Sequence, residues 1–125
     1  MEYRRILLDG YPTLVTCEGI ELVAADGRRV DSEHAIHLSP CEPTKILCVH
    51  LNYRSRVEEF MTRLPAAPTY FQKPVSSLNS HGGAIVRPER CQWLNYEGEV
   101  AIIIGKNTRN IGPDESASHI AGYAV

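Results

Sequence analysis

Leu94-Asn95-Tyr96-Glu97-Gly98-Glu99-Val100-Ala101-Ile102-Ile103-Ile104-Gly105-Lys106 is the stretch whose reading decides the fold. Its second half, Val100 to Ile104, is an apolar and largely β-branched run closed by Gly105, which predicts a short buried strand. Its first half carries two carboxylates one residue apart. Alternate residues of a strand share a face, so Glu97 and Glu99 are expected side by side, with Cα atoms roughly 6.5 Å apart. Like charges at that spacing repel unless water or a cation compensates. A hard divalent cation can take an oxygen from each, and Gly98 leaves room for close approach. A solvated strand end with two surface glutamates fits the same pattern, and spacing alone does not choose between the two.

Length and composition narrow the setting. The 125 residues suffice for one ordinary domain with a real core. With 43% hydrophobic and 22% charged residues and a formal net charge of -2, the chain has neither the basic excess nor the clustering that nucleic acid or an anionic membrane requires. Only three apolar residues, Ile6 to Leu8, separate Arg5 from Asp9, so no signal-peptide core is expected, and no apolar run reaches membrane-spanning length. Cys17, Cys41, Cys48 and Cys91 form no Cys-x-x-Cys pair, which argues against a disulfide framework or a structural zinc site and favours reduced thiols in a cytoplasmic setting.

Outward from the central stretch, residues 1–43 read as a small β appendage followed by a linker. Strands are expected at Arg5–Leu8, Thr13–Cys17 and Ile20–Ala24, with Gly10 and Gly19 as breakers. Asp26-Gly27 supplies a two-residue hairpin signal between Glu21–Ala25 and Arg28–Val30. Ser39-Pro40-Cys41-Glu42-Pro43 is the linker, and residues 44–125 form the main unit. There Ile46 to Leu51 predicts a strand buried on both faces. Ser55 with Glu58 makes a capping-box pattern, and Val57, Phe60, Met61 and Leu64 form one helical stripe that Pro65 ends. Tyr70–Lys73 and Ala84–Val86 predict further strands, with the polar, glycine-containing Ser76–Gly83 between them as a mobile loop over a site. Pro113-Asp114-Glu115 suits the first turn of a short helix, and Ile120–Val125 returns as a strand. The expected class is mainly β with short helices. Because Gly122-Tyr123-Ala124-Val125 ends without a turn or polar tail, the chain is expected to be the first part of a longer domain.

Few residues beyond the glutamate pair carry a chemical signal. There is no Gly-rich phosphate loop and no Gly-x-Ser-x-Gly elbow. His34, His37, His50, His81 and His119 lack the i, i+4 spacing of a helical zinc site. His50, inside an apolar strand, reads first as a satisfied core histidine. Arg56 and Glu59, three apart on the helix, fit a solvated ion pair, and Lys73 beside Pro74 either reaches a site or is simply exposed.

Order adds what spacing does not. Lys45-Ile46-Leu47-Cys48-Val49-His50-Leu51-Asn52-Tyr53, then Pro68-x-Tyr70-Phe71-Gln72-Lys73-Pro74, then Tyr96 to Lys106, then Ile120-Ala121-Gly122-Tyr123, resemble successive blocks of the fumarylacetoacetate hydrolase family. The resemblance implies a layered, rolled mixed β-sheet fold that is usually dimeric, so a homodimer or higher homo-oligomer is expected. It also implies a site for Mg²⁺, or Mn²⁺ or Ca²⁺, held by Glu97, Glu99 and an acid that would follow Val125. Hydrolytic members carry a histidine and a glutamate on the helix after Asn-Tyr. Here those positions hold Arg56 and Glu59. Arginine has no acceptor and stays protonated, so it cannot act as a general base, but it can clamp a carboxylate.

Val49 to Arg56 is most similar to the branch that decarboxylates and isomerises oxo-ene and hydroxy-diene carboxylates in homoprotocatechuate (4-hydroxyphenylacetate) breakdown. That resemblance assigns Glu97 and Glu99 as metal ligands, and Arg56 and Lys73 as partners of substrate carboxylates. Glu59, with Lys73, is the catalytic candidate and proton shuttle, and His50 is a further substrate-binding candidate. A 2-oxo acid chelates a cation through carboxylate and keto oxygens, and the cation stabilises the enolate left when CO₂ departs. Two rivals remain. An acylpyruvate or fumarylacetoacetate-type hydrolase would need His50 or His81 in place of the helix histidine, and a pairing subunit would have no catalysis of its own.

Overall fold

In the computed structural model, which describes residues 1–125, the first sheet is an antiparallel set of five strands. These are β1 (Tyr3–Leu8), β2 (Tyr11–Glu18), β3 (Glu21–Ala24), β4 (Arg29–Asp31) and β5 (Ile36–His37), in the spatial order β4-β3-β2-β1-β5. Asp9 and Gly10 both take positive φ, 50° and 83°, the backbone that a tight two-residue hairpin demands, and Leu8 pairs directly with Tyr11 across them. Period-2 alternation does the rest. Ile6, Val15, Leu22 and Ala24 are buried on one face, with Leu8, Cys17, Val30 and Ala35 packed around them. The opposite face is wet: Arg29 bridges Glu18 at 3.0 Å and Glu21 at 2.6 Å. β5 was not expected, because two residues carry too little pattern to read. After it, Arg5 holds the linker through Ser39 O at 3.2 Å and Glu42 Oε1 at 2.6 Å.

Beyond the linker come β6 (Ile46–His50), α1 (Arg54–Glu59), β7 (Thr69–Lys73), β8 (Ala101–Ile104) and β9 (Ile120–Ala124), with 3₁₀ turns at Val75–Ser77 and Pro113–His119. β6 pairs with β7 and β8 with β9, each antiparallel and each alone. A bulge between Ile103 and Ile104 brings Gly105 N–H onto His119 O at 2.8 Å. The class is mainly β with few short helices.

Several local expectations are corrected. β6 and β8 are not buried strands: Leu47, Ile102 and Ile104 are all more than half exposed. Each belongs to a two-stranded sheet, so pairing satisfies the backbone while both apolar faces lack a covering layer. Val57 is the only buried residue after position 44. The helix is shorter than its stripe. Tyr53 takes the N-cap position, the Ser55–Glu58 capping box does not form, and Met61 turns to positive φ (48°) directly after the Phe60 C-cap. Phe60, Met61 and Leu64 are all more than half exposed and meet no buried core, so periodicity alone does not extend the helix. Ala84–Val86 is irregular, with no neighbouring strand to pair.

Candidate functional site

Glu97 and Glu99 lie in the irregular segment just before β8 rather than within the strand. Both are exposed, and both line an open cavity of about 580 Å³ together with Arg56, Phe60, Lys73 and Asn95. A Cβ added at Gly98 would meet nothing within 4 Å, so packing does not demand a glycine there.

Arg56 organises this cavity. Its Nη1 donates to Glu59 Oε2 at 2.6 Å, the i, i+3 pair on α1, and its Nη2 donates to Glu97 Oε1 at 2.9 Å from 41 residues away. The guanidinium also sits 5.1 Å above the Phe60 ring, one helical turn along. Glu59, and after it Glu97, makes the guanidinium hold its proton more firmly than usual. Glu99 has no cationic partner. Lys73 closes β7 opposite Ile46, its ammonium 6.0 Å from the Phe71 ring.

The structure thus gathers Arg56, Lys73, Glu97 and Glu99 around one cavity, with Glu59 reached through Arg56. It does not bring the histidines there. His50 is exposed and lines a separate hollow of about 260 Å³ with Leu51, Leu64 and Pro65. His81 packs edge-on against His37 of the first sheet, ring centroids 5.1 Å apart. Phe60 was missed as a site residue, although its i, i+4 spacing from Arg56 is the signal that would find it. The ionisable side chains lining the cavity are two cations and two carboxylates, with Glu59 on Arg56 as a third carboxylate. Such a set can accept a hard cation on the carboxylates and an anion on Arg56 and Lys73.

Residues 45–125 match the family model described as fumarylacetoacetate (FAA) hydrolase C-terminal. The chain is 28% identical over 121 residues to the homoprotocatechuate catabolism bifunctional isomerase/decarboxylase of Escherichia coli, covering 97% of this chain and 27% of that protein. It is 38% identical over 82 residues to the mitochondrial oxaloacetate tautomerase FAHD1 of Arabidopsis thaliana, covering 66% and 37%. Among solved structures it is similar to an uncharacterised protein of Mycobacterium abscessus, with a TM-score of 0.73 and 25% identity, covering 98% of this chain and 53% of that one. The chain spans well under half the length of these curated relatives.

Proposed function

The chain belongs to the fumarylacetoacetate hydrolase family, and from that membership we propose a metal-dependent enzyme that decarboxylates or isomerises oxo-ene or hydroxy-diene di- and tricarboxylates. The E. coli relative, an isomerase/decarboxylase aligned along 97% of the chain, supports this class of reaction. The observation that carries it is local. Arg56, which has no acceptor, stands over the same cavity as Glu97 and Glu99, where a water-activating histidine would serve a hydrolase.

The donor chemistry of the cavity fits a hard cation. Glu97 and Glu99 offer carboxylate oxygens, the ligands that Mg²⁺, Mn²⁺ and Ca²⁺ prefer, and no third His, Cys, Asp or Glu joins them in this chain. When bound there, such an ion supplies a Lewis acid that draws electron density from a 2-oxo acid. The chain's own residues bind and orient. Arg56 and Lys73 receive substrate carboxylates, Arg56 as a planar fork and Lys73 as a point charge. Phe60 supports the guanidinium from below. Glu59 Oε2, held by Arg56 Nη1, is the candidate acceptor for a proton moved during double-bond migration. Because neither CO₂ loss nor isomerisation needs a water nucleophile, the cavity requires no histidine.

A second reading is favoured by the Arabidopsis relative: proton transfer on oxaloacetate, a 2-oxo dicarboxylate, without loss of carbon. One assay separates the readings. The full-length protein is incubated with Mg²⁺ and a 2-oxo-ene-dicarboxylate, oxaloacetate or an acylpyruvate, and products are followed by NMR. CO₂ release or double-bond migration from the first is expected. Enol–keto exchange of oxaloacetate alone supports the tautomerase, and rapid acylpyruvate cleavage overturns both in favour of the hydrolase.

A further inference from the structure

We propose that Arg56 is a resident counter-ion of Glu97, occupying that carboxylate in the absence of a divalent cation and displaced from it when the cation binds. The inference rests on the reading of Glu97 and Glu99 as the cation's ligands and adds to it a competition built from this chain's own residues.

Three features lead to it. The two glutamates are treated unequally: Glu97 is paired with Arg56 at 2.9 Å, while Glu99 has no cation. A carboxylate that must wait for its ion beside another carboxylate is relieved of repulsion by such a partner. Next, the guanidinium fork is split. One arm stays on Glu59 at 2.6 Å, so leaving Glu97 does not strand the arginine without an anion. Finally, arginine cannot vacate the site by losing a proton, as histidine would. An incoming cation that takes the same oxygen must therefore displace the side chain itself. Charge arithmetic points the same way. Arg56 and Lys73 face three carboxylates, Glu59, Glu97 and Glu99, so the group carries −1 before a divalent ion arrives and +1 afterwards. That suits an anionic ligand, toward which the released arm of Arg56 is free to turn.

The test is Mn²⁺ affinity without substrate, read by electron paramagnetic resonance of the free ion, with circular dichroism confirming that each variant is folded. Glu97→Gln and Glu99→Gln should weaken binding; if neither does, the ligand assignment itself fails. Given that weakening, Arg56→Gln should tighten Mn²⁺ about threefold or more, the scale of an exposed ion pair. Lys73→Gln, which removes a cavity charge that touches neither glutamate, should tighten it less. In the Glu97→Gln background, Arg56→Gln should tighten Mn²⁺ no more than Lys73→Gln does. Unchanged or weaker binding in Arg56→Gln, equal tightening in Lys73→Gln, or undiminished tightening by Arg56→Gln without Glu97 would each overturn the competition while leaving the ligand assignment standing.

Discussion

Arg56 and Glu97 meet across 2.9 Å although 41 residues separate them, and this bond ties the short helix to the segment that carries both candidate ligands. If Arg56 binds a substrate carboxylate with its planar fork, Arg56→Lys keeps the charge and loses the second donor. KM for the dicarboxylate should rise several-fold with kcat little changed. Steady-state kinetics at saturating Mg²⁺ reads this split, and a fall in kcat at constant KM would place Arg56 in the chemical step instead.

Gly105 packs against Ala121 at the β8–β9 end with no room for a side chain. A Cβ at Gly105 would lie 2.7 Å from the Ala121 Cβ, too near unless the backbone shifts, and a tight 3.3 Å from its Cα. Gly105→Val should therefore break the Gly105–His119 hydrogen bond, lower Tm and speed amide exchange at residues 104–105. Gly98→Ala meets open space and should change stability by less than about 0.5 kcal/mol. Equal effects of the two substitutions would contradict the geometry.

Ile6 is fully buried at the centre of the first sheet, whereas Leu14 on the other face of the same sheet is 58% exposed. Ile6→Ala should cost about 2–5 kcal/mol and Leu14→Ala under about 1 kcal/mol in urea unfolding. Similar costs would mean that the core lies elsewhere.

His81 carries a pH dependence. Partial desolvation of this exposed ring first, then the charges of Arg4 and His37, lower its pKa from the usual value of about 6.5, with Glu2 opposing. His37 is already committed: its Nε2–H donates to Ser32 O at 2.9 Å and its buried Nδ1 has no partner. The unfolded chain then binds more protons than the folded one near and below pH 6.5. Stability should be constant above about pH 7.5, fall as pH drops through 6.5, and level off once folded His81 is also charged. His81→Asn should flatten that portion of the curve; an unaltered pH profile in His81→Asn would contradict the contact.

Much of the first sheet was legible because Gly10 and Gly19 break the apolar runs and Asp26-Gly27 marks a hairpin, signals that act over a few residues. Val100–Ile104 was legible as a strand but not as an exposed one, since burial depends on whether a covering layer exists and the run itself is silent on that. The Glu97/Glu99 pair could be located from spacing and family order. Its link to Arg56 could not, because no local pattern reports a contact over 41 residues. Likewise Phe60 was assigned to an apolar stripe, yet it lies under a guanidinium and 59% exposed.

The most direct check of the proposed metal-dependent activity is the melting temperature of the full-length protein with and without Mg²⁺, compared with Glu97→Gln and Glu99→Gln. A ligand that binds only the folded state stabilises it by mass action. At a hundredfold excess over Kd, Tm should rise on the order of 5–10 °C in the natural protein. Most of that rise should vanish in each glutamine variant. A shift that persists undiminished in both variants would place the cation elsewhere and contradict the account.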